Sequence, residues 1–180
     1  LSACENLPEN VENIIKDTTE WFEKNKTFVM NAPQYFMIGY GANYGTVQEA
    51  GLKFFECHGK PTFPLELEES LHGPFRALHK EDVIFFLAAE NGAEKERMLQ
   101  LVDALNEYCE NRIIIANQLD EEVGKNELQI HGSNIEFVNT IEYLVGLQTL
   151  SFLIANEMKI DLSKPLVASL DDKMHPAYED

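Results

Sequence analysis

The sequence predicts an α/β fold, a three-layer α/β/α sandwich around a five-stranded, mainly parallel sheet. Three observations lead there. Five short strand-like runs alternate with helical patterns, the order that builds strand–helix–strand units. Several of those runs are apolar without alternation, Val83 to Ala88 and Arg112 to Ala116 most plainly, which is how strands covered on both faces read. Finally, 180 residues at 44% hydrophobic are enough for one good core and short for two domains.

Each element has its own local reason. Pro8 sits at a first helical position, and Val11, Ile14, Ile15, Trp21 and Phe22 recur at helical spacing to about Lys26. This predicts an amphipathic entry helix. Tyr35 to Ile38 is a compact apolar run ending at Gly39, a buried strand, and Tyr44 to about Cys57 is the crossover helix that follows it. Pro61 to Leu67 reads as a strand, and Glu68 to Leu78 as a short helix interrupted by Gly73-Pro74. After the strand Val83 to Ala88, Glu94 to Glu110 carries Met98, Leu101, Val102 and Leu105 on one helical face. Arg112 to Ala116 and Glu127 to Ile130 complete the strands, and an apolar helix over about Phe137 to Met158 closes the core.

Charge and cysteine content narrow the function classes. Fourteen Lys and Arg against 31 Asp and Glu give a formal charge of −17. Nucleic acid and anionic membranes bind through clustered Lys and Arg, so neither is an expected partner. No apolar run approaches the roughly 18 residues a membrane helix needs, and no leader pattern opens the chain. Cys4, Cys57 and Cys109 are odd in number and lack Cys-x-x-Cys spacing, which argues against disulfides and zinc and fits a reducing cytoplasm. His58, His79, His131 and His175 show no ligand spacing, so no metal is assigned.

Candidate chemistry concentrates between Met37 and Pro74. Ligands of open α/β sheets sit at the carboxyl ends of strands, where the loop "GYGANYG" places Gly39, Gly41 and Gly45 before a helix. Free N–H groups at a helix start attract anions. The spacing is neither the dinucleotide fingerprint nor a P-loop, and an ordinary tight turn explains it equally well. Along the next helix Glu49, Lys53 and Glu56 fall at i, i+4 and i+7, on one side. One reading makes Glu49 and Lys53 a surface pair and Glu56 a solvated end residue. The other notes that a carboxylate at a helix C-terminus faces the negative end of the dipole, which disfavours its charged form, as a general base near neutral pH requires. His72, before Gly73-Pro74, reads as a turn residue or as a group suited to proton transfer.

These residues carry a resemblance. The run from Ile38 to Leu78 resembles the sugar isomerase, or SIS, domain, and is most similar to the second, C-terminal SIS lobe of glucosamine-6-phosphate synthase and of fructosamine-6-phosphate deglycases. "IGYGANYGTVQEAGLKFFE" resembles that lobe's glycine turn and Glu-x-x-x-Lys-x-x-Glu helix, and "ESLHGPFRAL" its Glu-x-x-His-Gly-Pro segment. The closing "YLVGLQTLSFLIANEMKIDLSKPL" is similar to the family's last helix, with Gln148 in register. The resemblance spans about Gln34 to Leu166. It implies a flavodoxin-like SIS fold, with 1–33 as entry helix and linker, 34–170 as the SIS domain, and 171–180 as a tail.

It also implies roles. Glu56 would be the base that moves a proton between C1 and C2 of an open-chain sugar phosphate, His72 would assist ring opening, and Lys53 would hold the substrate or form an iminium, unless it pairs with Glu49. Gly39, Gly41, Asn43 and Glu49 would be substrate-binding. No cofactor is implied, and the histidine of the family works in a neighbouring subunit, so a homodimer is expected. The chain lacks the family's Ser-x-Ser-x-x-Thr loop: after its third strand it reads "AAENGAEKERM", and its tail lacks the synthase's Ala-Lys-Ser segment, with Leu170 or its neighbours there instead. The expectation is a second lobe of a two-lobe enzyme, an isomerase or deglycase for a ketose or amino-sugar 6-phosphate. The alternative is a non-catalytic SIS module that binds sugar phosphates for regulation.

Overall fold

The computed structural model describes residues 4–88, 92–117, 127–133, 135 and 137–164. Five strands, β1 (Tyr35–Gly39), β2 (Thr62–Glu66), β3 (Val83–Leu87), β4 (Asn111–Ala116) and β5 (Glu127–Gln129), form one sheet in the order β2-β1-β3-β4-β5. All neighbours are parallel, with Tyr35 opposite Thr62 on one side and Val83 on the other. The order reverses between β1 and β3, so the carboxyl end of β1 is the topological switch point of the sheet.

Alternation along the strands makes two cores. Tyr35, Met37, Val83, Phe85, Leu87, Ile113 and Ile115 face one layer, made of α1 (Leu7–Asn31), α2 (Ala42–His58) and α4 (Val138–Glu157). Phe36, Ile38, Ile84, Phe86 and Ile114 face the other, covered by α3 (Ala93–Ala104) and by Phe75 and Leu78 of the β2–β3 connection. β1 and β3 are buried along their whole length, as apolar runs between two helix layers must be. The three-layer parallel sandwich expected from the sequence is the observed fold.

Local boundaries differ where packing overrides periodicity. α1 continues past Lys26 to Asn31, because Val29 is buried and the Tyr35 hydroxyl donates to its carbonyl at 2.9 Å. Lys60 then satisfies the open end of the helix, donating from Nζ to the carbonyls of Met30 (2.7 Å) and Ala32 (3.0 Å), a cation placed where the helix dipole is negative. The segment Glu68 to Leu78 forms two 3-10 turns, Glu69–Leu71 and Pro74–Ala77, instead of one helix. They are split at Gly73, whose φ of 122° no side-chain-bearing residue adopts readily. α3 stops at Ala104 rather than Glu110, and a 3-10 turn, Leu105–Glu107, leads into β4.

α4 has the length and composition of a membrane span, against the expectation that no apolar run approaches one, with polar residues such as Asn139 and Glu142 spread among its apolar ones. It lies against α1 and α2 with those two polar side chains buried. Residues 89–91 and 165–180, and with them Leu170, His175 and the expected boundary between 34–170 and 171–180, lie outside the described residues.

Candidate functional site

The glycine turn follows β1 at the switch point. Gly41 caps α2 with φ 54° and ψ −132°, and a Cβ on Gly39 would meet the Asn43 carbonyl oxygen at 2.5 Å. Both glycines are therefore required by the turn itself. Gly45 lies within α2 with open space around it, so the expected three-glycine cradle reduces to two. Asn43 is buried, and its Oδ1 has no hydrogen-bond partner among the described residues.

Farther along α2 the Glu-x-x-x-Lys-x-x-Glu residues meet. Lys53 Nζ donates to Glu56 Oε2 at 2.7 Å and stands 3.4 Å from Glu49 Oε1. The hydrogen bond to Glu56, with Glu49 behind it, holds the Lys53 ammonium above the usual lysine range. Lys53 thus pairs with Glu49, as a surface pair, and more tightly with the half-exposed Glu56. Ser151 of α4 donates from Oγ to the Lys53 carbonyl at 3.0 Å and fixes this stretch against the neighbouring helix.

The candidates do not form one pocket within the chain. At about 1.5 Å rise per residue, Gly41 and Glu56 are roughly 22 Å apart along α2. The turn lies at the carboxyl ends of the strands and Glu56 near the opposite rim. His72 caps the first 3-10 turn of the β2–β3 connection, whose Phe75 and Leu78 cover the other face of the sheet from α2. Its charged neighbourhood there is Glu68, whose carboxyl is held below the usual range mainly by Arg97, at 2.7 Å, with a lesser contribution from His72. The structure gathers Glu49, Lys53 and Glu56, and it sets His72 and the Gly39–Asn43 turn apart from them.

Another polar centre escaped the sequence reading. Glu142 of α4 is fully buried and accepts from Asn10 Nδ2 (2.8 Å), from the Ser133 backbone N–H (2.9 Å) and from Ser133 Oγ (3.0 Å). Beside it Gly132 donates its N–H to Asn117 Oδ1 at 3.0 Å, and a Cβ on Gly132 would meet Glu142 Oε2 at 2.5 Å. The cluster ties α1, α4 and the carboxyl ends of β4 and β5 together. A lone glutamate inside "VNTIEYLVGLQTL" was its only sequence signal.

His58 and Cys109 belong to the core. His58 packs edge-on against Phe54 and Tyr35, and burial, aided by Lys60, lowers its pKa to about 4. Cys109 is buried with its thiol pushed up to about 11, chiefly by burial. Among the described residues no three His, Cys, Asp or Glu side chains converge as a metal site.

Residues 29–160 match the family model of the SIS domain. Comparison with curated protein sequences gave no match. Among solved structures, a proposed phosphosugar isomerase from Clostridium difficile 630 superposes with a TM-score of 0.82 at 25% identity, covering 96% of this chain and 48% of that one. The C-terminal domain of glucosamine-fructose-6-phosphate aminotransferase from Francisella tularensis gives 0.71 at 18% identity, over 88% of this chain and 44% of that one. Tagatose-6-phosphate ketose/aldose isomerase from Escherichia coli gives 0.69 at 18% identity, over 83% and 43%. This chain spans about half the length of these relatives, and the last two likenesses concern the fold alone.

Proposed function

Since the chain belongs to the SIS domain family, we propose that it binds a ketose or amino-sugar 6-phosphate and moves a proton between C1 and C2 of the open-chain form. One observation carries the reading. The Glu49–Lys53–Glu56 trio is assembled on α2 with Glu56 half-exposed, so a carboxylate base and an ammonium stand together where a substrate can reach them. Glu56 would take the proton from carbon, and Lys53 would hold an anionic oxygen of the enediol or enaminol as charge develops. Isomerase or deglycase chemistry both start with that step.

The distances along α2 support a site completed from outside. A hexose phosphate does not span the roughly 22 Å between the glycine turn and Glu56, and the chain matches half the length of its relatives. In this reading another SIS lobe or subunit, in a cytoplasmic homodimer or a two-lobe chain, supplies the phosphate contacts and the histidine corresponding to His72. The same separation favours the second reading, a regulatory module that binds sugar phosphates at the Gly39–Asn43 turn without turnover.

Proton exchange tests the proposal. Incubated in deuterated water with fructose 6-phosphate, glucosamine 6-phosphate or a fructosyl-amino-acid 6-phosphate, the protein should exchange the C1 or C2 proton of one of them, read by NMR. Saturable binding without exchange would support the regulatory module instead.

A further inference from the structure

A histidine carried on a loop serves proton transfer only if the loop holds it still, since a shift of about 1 Å in a reacting group costs about a hundredfold in rate. His72 closes the 3-10 turn Glu69–Leu71, and Glu68 opens it. Leu67 is buried before the turn, and Phe75 and Leu78 pack on the core after it. Between them Leu71 is 44% exposed, so apolar packing does not fix the stretch that carries His72.

Polar contacts take its place. Glu66 Oε2 accepts the backbone N–H groups of Glu68 (2.8 Å) and Glu69 (3.1 Å), and the buried Ser70 donates from Oγ to the Leu67 carbonyl at 2.6 Å. These bonds shape the turn from within. A tie to another element comes from α3, where Arg97 donates from Nε to Glu68 Oε1 at 2.7 Å and from Nη2 to Glu68 Oε2 at 3.2 Å. An exposed ion pair contributes little to stability, but a guanidinium fork fixes both the distance and the orientation of the carboxylate it holds. The Glu68 carboxyl is held below the usual range by Arg97 first and by His72 to a lesser extent, so fork and histidine share one neighbourhood. Glu68 and Arg97 both lie outside the Glu-x-x-His-Gly-Pro segment.

We infer that Arg97 is a positioning residue, which through its fork on Glu68 holds in place the turn that presents His72; this deepens the proposed proton transfer and rests on it. In the reading of a shared site His72 serves a neighbouring subunit, and α3 sets its place before that subunit is met.

The test uses the sugar phosphate that the parent chain exchanges in deuterated water. Arg97→Ala and Glu68→Ala should each lower kcat for that exchange about tenfold, with KM and the thermal midpoint unchanged. The double variant should lose no more than either single one, because both remove the same tie. Amide exchange read by mass spectrometry should quicken over 67–78 while the strands keep their protection. Parent-rate turnover in Arg97→Ala would overturn the inference and leave the proposed function standing. So would losses that multiply in the double variant, or a fall in kcat that merely follows a fall in the thermal midpoint. A parent chain that exchanges no sugar phosphate would defeat the proposed function and the inference with it.

Discussion

Lys53 Nζ lies 2.7 Å from Glu56 Oε2 and 3.4 Å from Glu49 Oε1, so one ammonium serves carboxylates about a turn away on either side of it along α2. Exposed ion pairs add little to stability, so a structural purpose does not account for the trio. Lys53→Met should leave the thermal midpoint within ~2 °C of the parent while lowering exchange about tenfold or more. A large loss of stability with exchange intact would assign Lys53 to the fold instead.

His58 makes stability depend on pH. Its pKa lies near 4 in the fold against 6.5 when unperturbed, so the unfolded chain binds more protons between those values. The contribution is complete above pH 6.5 and is lost as pH falls toward 4. Between pH 7 and 5 it should cost about 2 kcal/mol. Urea unfolding at both pH values should show that drop, and His58→Phe should remove its part of the slope.

Gly39 is required by the turn. In Gly39→Ala the new Cβ would meet a backbone oxygen at 2.5 Å, which cannot rotate away. The substitution should destabilise the chain by about 1–3 kcal/mol in denaturant unfolding. An unchanged midpoint with weakened sugar-phosphate binding would assign Gly39 to the ligand alone.

Glu142 anchors three segments through Asn10 and Ser133. Glu142→Gln keeps the shape but turns an NH2 group toward groups that themselves donate, and should cost about 1–3 kcal/mol. Glu142→Ala should cost more, since the Ser133 N–H and the Asn10 amide lose their acceptor. Chemical denaturation of the two variants gives the ranking.

Much of this fold was legible because its signals are local. Continuous runs such as Val83 to Leu87 announce strands enclosed on both sides, and Glu49, Lys53 and Glu56 share a helix face by spacing alone. What stayed hidden depends on contacts distant in sequence. Glu142 meets Asn10 across 132 positions, and α1 runs on to Asn31 because Tyr35 and Lys60 hold its end. Spacing could place Glu56 and His72 in a common motif. It could not show that their segments cover opposite faces of one sheet.

The most direct test of the central claim compares the parent chain with Glu56→Gln in the deuterium-exchange experiment, using whichever sugar phosphate exchanges. The substitution removes a half-exposed carboxylate and should leave the fold and sugar-phosphate binding unchanged. Exchange should fall by about a hundredfold or more. Exchange at the parent rate in Glu56→Gln would contradict the account and remove Glu56 from the role of base.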